Sequence, residues 1–333
     1  MLLSSAGATA ALLLVPQLLA SGERVGGTDA TAGPERVQPT AADPDRPWRL
    51  HHPDGSEAGI EDLMDQASTV DVIFLGERHG DPGTHALQLH LLEALIEVAD
   101  QVGRELILSF EMFDRDVQAV LDEFLADLIT EDQFLSVARP WPNYASDYRP
   151  TLLRAKEAGL RVLAANTPRR YSDRVSRLGS ASLRDLPTEA HRHLPPLPFP
   201  EASSAYRSEW EERMDQIAHP HAGEHALEVQ ALWDASMAFA IHEALGTEAG
   251  GTDGGAGRLG RPLVLHLTGS FHVENRTGIP EALRHYRPGI RDLVITAWPV
   301  ETPEDFDQAT AGARLSGLAD FLALTPGDRG SGP

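Results

Sequence analysis

The chain has 333 residues, of which 28 are Lys or Arg and 50 are Asp or Glu, so its formal net charge is −22. This acidity argues against nucleic-acid binding, because phosphate contacts require clustered Lys and Arg. The sequence contains no Cys, which excludes disulfides, thiolate metal sites, a Cys nucleophile and a lipid anchor through Cys. No apolar run reaches the length of about 18 residues that a membrane span needs, so we predict no transmembrane span.

We expect residues 1–46 to contain a candidate signal segment and a disordered linker. Residues 1–22 combine an apolar stretch with small residues at its end, as secretory signals do, although the usual basic start is missing. Residues 23–46 are rich in Gly, Thr, Pro and Ala without apolar periodicity. We therefore expect a protein of the cell envelope or a secreted one, periplasmic in a Gram-negative cell, while a cytoplasmic location stays open.

Alternating strand and helix patterns predict that residues 47–325 form one α/β domain with a mostly parallel central sheet flanked by helices. We expect a disordered tail at 326–333. Short apolar runs predict five buried strands, namely Val70–Leu75, Leu106–Phe110, Val162–Ala165, Leu263–Leu267 and Leu293–Ala297. Helical spacing of apolar residues predicts four helices, namely one that begins after Asp81 and Pro82, then Val117–Phe124, Leu152–Ala158 and Leu227–Leu245. Residues 172–225 contain several prolines and predict a small helical subdomain or cap, and 246–262 predict a flexible Gly-rich loop.

Polar side chains follow the predicted strands at the points where the strands end. Glu77 and His79 follow the first strand, Glu111 follows the second and His272 follows the fourth. Ligands of open α/β sheets bind at the carboxyl ends of the strands. If these strands are neighbours, the four side chains converge on one crevice.

The motif Gly-x-x-His occurs twice, at Gly76–His79 and at Gly269–His272. We expect each glycine to permit a positive φ and a close backbone approach at the end of its strand. Two His and two Glu suit a divalent metal such as Mn or Zn, or a general acid/base cluster that activates water. The alternative is that these groups only satisfy one another's hydrogen bonds, as buried polar groups must.

Residues 139–150 (RPWPNYASDYRP) form a dense segment of aromatic and Arg residues. Its rings could stack on a flat ligand, and Tyr144 or Tyr148 could ligate ferric haem; the alternative is a packed loop. Arg169 and Arg170, which follow the third strand, could bind a carboxylate in bidentate fashion, or simply begin a solvated helix. Asp234, on the last predicted helix, could also serve the site.

Taken together, these motifs resemble the ChaN-like haem-binding uptake family, part of a superfamily with Tiki proteases and erythromycin esterases. The stretches that carry the resemblance are Val72–His79, Leu108–Gln118, Arg139–Pro150, Val162–Arg170, Gln230–Ala238 and Leu265–Val273. The resemblance implies a parallel sheet with a smaller helical subdomain. It also implies haem binding linked to bacterial haem and iron uptake at the envelope, with envelope haem-transport components as partners.

Within this family, the resemblance implies a Tyr ligand to the haem iron and a cofacial haem pair held between two subunits, hence a homodimer. Among Tyr144, Tyr148, Tyr171 and Tyr206 we favour Tyr148 as that ligand. His and Arg side chains would hold the propionates, and the candidates are His79, His272, Arg169 and Arg170.

The hydrolases of the superfamily resemble this chain at different residues. Their Gly-Glu-x-His and Gly-x-x-His motifs match Glu77, His79 and His272, and their additional Glu matches Glu111. The resemblance therefore implies an alternative function, a metal-dependent hydrolase of the esterase or peptidase type that uses this cluster.

Overall fold

The computed structural model describes residues 46–217, 223–246, 261–301, 315 and 317–327. In this part of the chain, eight strands form one sheet in the order β2-β1-β8-β7-β3-β6-β4-β5. The strands are β1 (Arg49–His51), β2 (Glu57–Ala58), β3 (Val72–Glu77), β4 (Leu106–Asp114), β5 (Arg161–Asn166), β6 (Leu263–Gly269), β7 (Asp292–Val300) and β8 (Phe321–Pro326). All pairs from β8 to β5 are parallel, whereas β1 pairs antiparallel with both β2 and β8.

Helices cover both faces of this sheet. They are α1 (Ile60–Ala67), α2 (Pro82–Val102), α3 (Gln118–Leu125), α4 (Glu131–Ala138), α5 (Arg149–Glu157), α6 (Arg169–Leu178), α7 (Thr188–His191), α8 (Ser204–Ile217), α9 (Ala226–Ala244) and α10 (Ile279–Tyr286). A single π-helical turn at Tyr144–Tyr148 precedes α5, and a 3₁₀ turn at Ser270–His272 follows β6. The α/β fold with a mostly parallel sheet is thus confirmed.

The sheet separates two hydrophobic cores, as the period-2 alternation of strand side chains requires. On the first face, Ile73 and Leu75 of β3 pack in the core that α1 to α5 cover. On the second face, Val72 and Phe74 pack in the core that α9 and α10 cover. A smaller core joins α6 and α7 to α9. Side chains at the carboxyl edge of the sheet therefore divide between two differently covered faces.

The five predicted strands all form, each within a few residues of its predicted bounds. The helix after Asp81 also begins as predicted, because the Asp81 carboxylate caps it by accepting a 2.9 Å hydrogen bond from the Gly83 amide. Sequence analysis missed β1, β2 and β8. The first two have only three and two residues, which is too short for an apolar period to be recognised.

Several sequence predictions fall on parts of the chain outside the described residues. They include the candidate signal segment, nearly all of the linker, nearly all of the loop at 246–262 and most of the tail at 326–333. The predicted subdomain at 172–225 contains most of α6 together with α7 and α8. Among the residues that the structure describes, no helix is long and apolar enough to cross a membrane.

Candidate functional site

Glu77 ends β3 on the first face of the sheet, and its side chain is almost completely buried. Its Oε1 atom accepts hydrogen bonds from the Tyr148 hydroxyl at 2.7 Å and from Nδ1 of His79 at 2.8 Å. Its Oε2 atom accepts a hydrogen bond from the Gln88 amide of α2. Three donors therefore compensate the burial of this one carboxylate.

His79 is the accessible member of this group, since 37% of its side chain is exposed. Its ring packs edge to face against Trp141, with ring centroids 4.9 Å apart. Burial lowers the pKa of His79, but the hydrogen bond to Glu77 and the charge of Glu111 outweigh that effect and raise the pKa above its usual value. Because Nδ1 is bound to Glu77, Nε2 is the ring nitrogen that remains for a ligand.

A second group lies on the other face of the sheet, around Glu111 of β4. Its Oε2 atom accepts hydrogen bonds from the Thr268 hydroxyl at 2.6 Å and from the Gly269 amide at 2.7 Å. Its Oε1 atom lies 3.8 Å from Nε2 of His272. The other ring nitrogen of His272 donates to Oδ1 of Asp234, on α9, at 2.6 Å. Asp234, a candidate from the sequence, thus belongs to the site.

Charges within this second group stabilise one another. Burial lowers the pKa of His272, but Asp234 and Glu111 outweigh burial and raise it to about 9. Burial also disfavours the charged form of Glu111, yet His272 and His79 hold the pKa of that carboxyl below its usual value. At neutral pH the buried line Asp234–His272–Glu111 thus carries a proton on the imidazole.

The two groups meet at Gly269. A Cβ atom on this glycine would lie 3.1 Å from Nε2 of His79 and 3.5 Å from Cδ2 of His272, so both rings border the same short stretch of backbone. The predicted convergence of Glu77, His79, Glu111 and His272 occurs because β6 lies directly between β3 and β4. His79 is the link between the two faces, since it binds Glu77 and interacts electrostatically with Glu111.

The role predicted for the two motif glycines is half right. A Cβ atom on Gly76 would lie 2.8 Å from the Cα atom of Ser270, so this residue does permit a close backbone approach. Neither Gly76 nor Gly269 has a positive φ, however; that of Gly269 is −62°. Steric room, not backbone conformation, therefore favours glycine here, strictly at Gly76, next to backbone, and less so at Gly269, next to two rings that can shift.

The four predicted metal ligands divide between the two groups described above. Among the described residues, no group of three or more His, Asp or Glu side chains is arranged to hold a metal ion. Glu77 and Glu111 lie on opposite faces of the sheet, and donors engage both oxygens of Glu77 but only Oε2 of Glu111.

The two tyrosines predicted near the ligand are both buried. Tyr148 is only 1% exposed, and its hydroxyl donates to Glu77. Tyr144 donates to Glu131 at 3.1 Å and packs against Phe113 in the first core, away from Glu77. Burial raises the pKa of each phenol, and a nearby carboxylate raises it further, so both stay protonated at neutral pH.

The two predicted arginines lie at the start of α6, on an exposed surface. Arg170 pairs with Asp116 and lies over the ring of Tyr171, and Arg139 pairs with the same Asp116 at 2.6 Å. The backbone amide of Arg169 donates to Asp114 at 3.2 Å. This region therefore concentrates cations in a protein of net charge −22, but Arg170 and Arg139 already share an internal carboxylate partner.

Sequence analysis missed the residues that support Glu77 from α2. Gln88 and His85 are both buried on an otherwise apolar helix face that also carries Leu91, Leu92 and Leu95. A pair of polar residues three positions apart within such a face is the signal that could have revealed them. Thr268 was likewise missed, although it is the hydroxyl residue just before the second motif.

Comparison with known proteins identifies the family. The model of the family described as "Haem-binding uptake, Tiki superfamily, ChaN" matches residues 63–283, about two thirds of the chain. The chain belongs to this family. The matched residues include Glu77, Glu111, Asp234 and His272.

One solved structure supports the same fold. It is a structure of cofacial haem binding to ChaN of Campylobacter jejuni, with a TM-score of 0.61 and 16% sequence identity, and the match covers 85% of this chain and 98% of that one. At this identity the likeness shows the fold alone. An erythromycin esterase mutant in its open conformation has a TM-score of 0.46 and 11% identity, over 84% of this chain and 97% of that one, and carries no argument.

One curated relative is the protein RETICULATA-RELATED 5, chloroplastic, of Arabidopsis thaliana. It is 24% identical over 240 residues, which are 68% of this chain but 31% of that protein. The chain therefore spans about a third of the length of this relative.

Proposed function

We propose that this protein binds haem at the carboxyl edge of its sheet, and that Nε2 of His79 supplies the ligand to the iron. One observation carries the proposal beyond family membership: an accessible imidazole whose Nδ1 is bound to a buried carboxylate, beside the ring of Trp141. Carboxylate-anchored imidazoles are typical ligands of metals in proteins. Bound haem would supply the iron that this nitrogen would hold.

The described side chains fit a haem in two further respects. Trp141 offers an apolar ring next to His79, and the surface of Arg139, Arg169 and Arg170 offers cations for the propionates. Tyr148 fits the role of ligand less well, because its hydroxyl is buried and already donates to Glu77. We therefore assign the ligand to His79 in place of Tyr148.

The test is a titration of the haem-free protein with haemin, followed by the Soret absorbance. We expect saturation near one haem per chain, loss of the shift in His79→Gln, and a retained shift with weaker affinity in Tyr148→Phe, which removes one of the donors to Glu77. His90→Gln is a matched control, since His90 is also a partly buried imidazole beside a Trp, with ring centroids 5.3 Å apart. Absence of any saturable shift in the wild-type protein would refute haem binding. Loss in Tyr148→Phe alone would restore the tyrosine ligand.

We propose a role in haem uptake, as the family description suggests. We further propose that this role is at the cell envelope, with a homodimer and envelope haem-transport components as partners. The solved relative from Campylobacter jejuni, described as binding haem cofacially, supports the dimer. Sedimentation with and without haemin tests it, because a cofacial pair requires that haem binding and dimer formation occur together. Fractionation of cells tests the location.

A hydrolase is the second candidate, and the buried line Asp234–His272–Glu111 favours it. A carboxylate that orients an imidazole, which in turn faces a second carboxylate, is an arrangement that moves protons in hydrolases. In this candidate the Glu111 carboxylate would take a proton from water, and the protonated His272 would give one to the leaving group. Hydrolysis of a nitrophenyl ester that disappears in His272→Gln would support it; loss of that activity after chelation would restore the metal-dependent form with Mn or Zn.

A further inference from the structure

Glu77 is held in place by residues other than His79. Of the three hydrogen bonds that its carboxylate accepts, one comes from Tyr148 and one from Gln88. Both oxygens are therefore engaged even without the imidazole. A carboxylate fixed in this way presents Oε1 to His79 in one orientation.

Gln88 can face Glu77 in only one sense. The carboxylate of Glu77 can only accept, so the amide nitrogen of Gln88 is the atom that faces it. The amide oxygen then lies on the other side, 3.0 Å from Nδ1 of His85. That oxygen can only accept, so Nδ1 of His85 donates to it and holds the amide in this orientation.

His85 is in turn held by the π-helical turn that precedes α5. Its Nε2 atom lies 3.1 Å from Oδ2 of Asp147, an ion-pair contact without hydrogen-bond geometry, and the same oxygen accepts a 2.6 Å hydrogen bond from Asn143. The His85 ring packs edge to face against Tyr148, with centroids 5.1 Å apart. Contacts thus run without interruption from Asp147 through His85, Gln88 and Glu77 to the accessible imidazole.

We infer that Gln88 and His85 are positioning residues for His79, which act through Glu77 to keep the proton of the neutral imidazole on Nδ1 and the lone pair on Nε2. This inference rests on the proposed function, in which Nε2 binds the haem iron. Residues that orient a ligating imidazole through a carboxylate commonly change metal affinity without touching the metal. Neither Gln88 nor His85 was expected from the sequence to have a function.

The experiment compares Gln88→Met with the wild-type protein, because Met fills a similar volume and cannot donate. Gln118→Met is the matched control: Gln118 also ties a helix to the sheet, through bonds of 2.9 Å to the Val162 carbonyl and 2.8 Å from the Ala164 amide, but it has no contact with Glu77. Side-chain ¹⁵N NMR of the haem-free protein, at a pH where the imidazole is neutral, reports which nitrogen of His79 carries the proton. Signals that disappear in His79→Gln identify the residue.

We expect the Nδ1–H form of His79 to dominate in the wild-type protein and in Gln118→Met, and to lose population in Gln88→Met. Haemin affinity should fall about tenfold in Gln88→Met alone. An unchanged tautomer ratio in Gln88→Met would overturn the inference. If Gln88→Met does not fold, His85→Phe is the second variant. It keeps a ring packed against Tyr148 and removes the nitrogen that donates to Gln88, so the Nδ1–H form of His79 should lose population in it as well.

The NMR measurement also separates this inference from the proposed function. A tautomer shift in a protein that binds no haem would sustain the positioning role and refute haem binding. Haem binding that depends on His79, without a tautomer shift in Gln88→Met, would sustain haem binding and refute the positioning role.

Discussion

Nδ1 of His272 and Oδ1 of Asp234 lie 2.6 Å apart, and both side chains are almost completely buried. The contact joins the 3₁₀ turn after β6 to helix α9, on the second face of the sheet. A charged imidazole is stable at this depth only because Asp234 on one side and Glu111 on the other compensate its desolvation.

Stability at alkaline pH should therefore depend on His272. Its pKa is about 9 in the folded protein and about 6.5 in an unfolded chain. The charged pair thus contributes fully below the unfolded value, and its contribution is lost as the pH rises through about 9. We expect the free energy of unfolding of the wild-type protein, from urea titrations, to decline across this window. His272→Gln should start less stable and decline less; an equal slope in both proteins would contradict the assignment.

Stability at acidic pH should depend on His266, in the middle of β6. Burial lowers the pKa of this imidazole to about 3, so it must stay neutral in the fold. Its contribution is present above the unfolded value of about 6.5 and is lost as the pH falls toward 3. We expect His266→Asn, which can still bond to Ser109, to flatten the acid side of the stability curve. His285→Gln, at an exposed residue of α10, should leave the curve unchanged.

Gly76→Ala should destabilise the fold. The new Cβ would lie 2.8 Å from both the Cα atom of Ser270 and a methyl carbon of Val273, and the backbone atom cannot rotate away. Overpacking of this kind costs about 1–3 kcal/mol, which calorimetry would report as a lower midpoint of thermal unfolding. A variant with wild-type stability would show that β3 and the turn after β6 are less closely packed than described.

Gly269→Ala should instead perturb the site and leave the fold largely intact. The backbone conformation at this residue suits any amino acid, and the nearest atoms belong to the rings of His79 and His272, which can shift by a few tenths of an ångström. We expect a change in unfolding free energy below about 1 kcal/mol and a clear loss of haemin affinity. Unchanged affinity would mean that the position of the His79 ring is not critical for binding.

The positions of the polar strand ends could be predicted from the sequence, because apolar runs followed by Glu and His indicate where parallel strands finish. The sequence does not, however, predict on which face of the sheet Glu77 and Glu111 each lie. That assignment depends on which residue of each strand is the last to pair, and on the bulge after Phe110 in β4. Without it, four side chains near one edge resemble one metal site.

The role of α2 in supporting Glu77 could not be predicted from local sequence pattern either. Gln88 has this role only because it contacts Glu77, eleven residues earlier, and His85, which in turn contacts Asp147 of the π-helical turn. Tyr148, which the family resemblance favoured as the haem ligand, shows the same dependence on packing: its ring packs against Trp141 and its hydroxyl donates to the buried carboxylate of Glu77, neither of which the sequence indicates.

The position of β6 between β3 and β4 has a consequence for synthesis of the chain. The two flanking strands are complete by Asp114, but the strand that joins them begins at Leu263. At a translation rate of roughly 5–20 residues per second, the sheet lacks its middle for on the order of ten seconds. During this interval, β3 lacks both of its neighbours, β6 and β7, and β4 lacks β6, so three strand edges are unpaired and Glu111 lacks the Thr268 and Gly269 donors. We therefore expect the yield of folded protein to depend on whether a chaperone covers those edges, and on how slowly β6 leaves the ribosome.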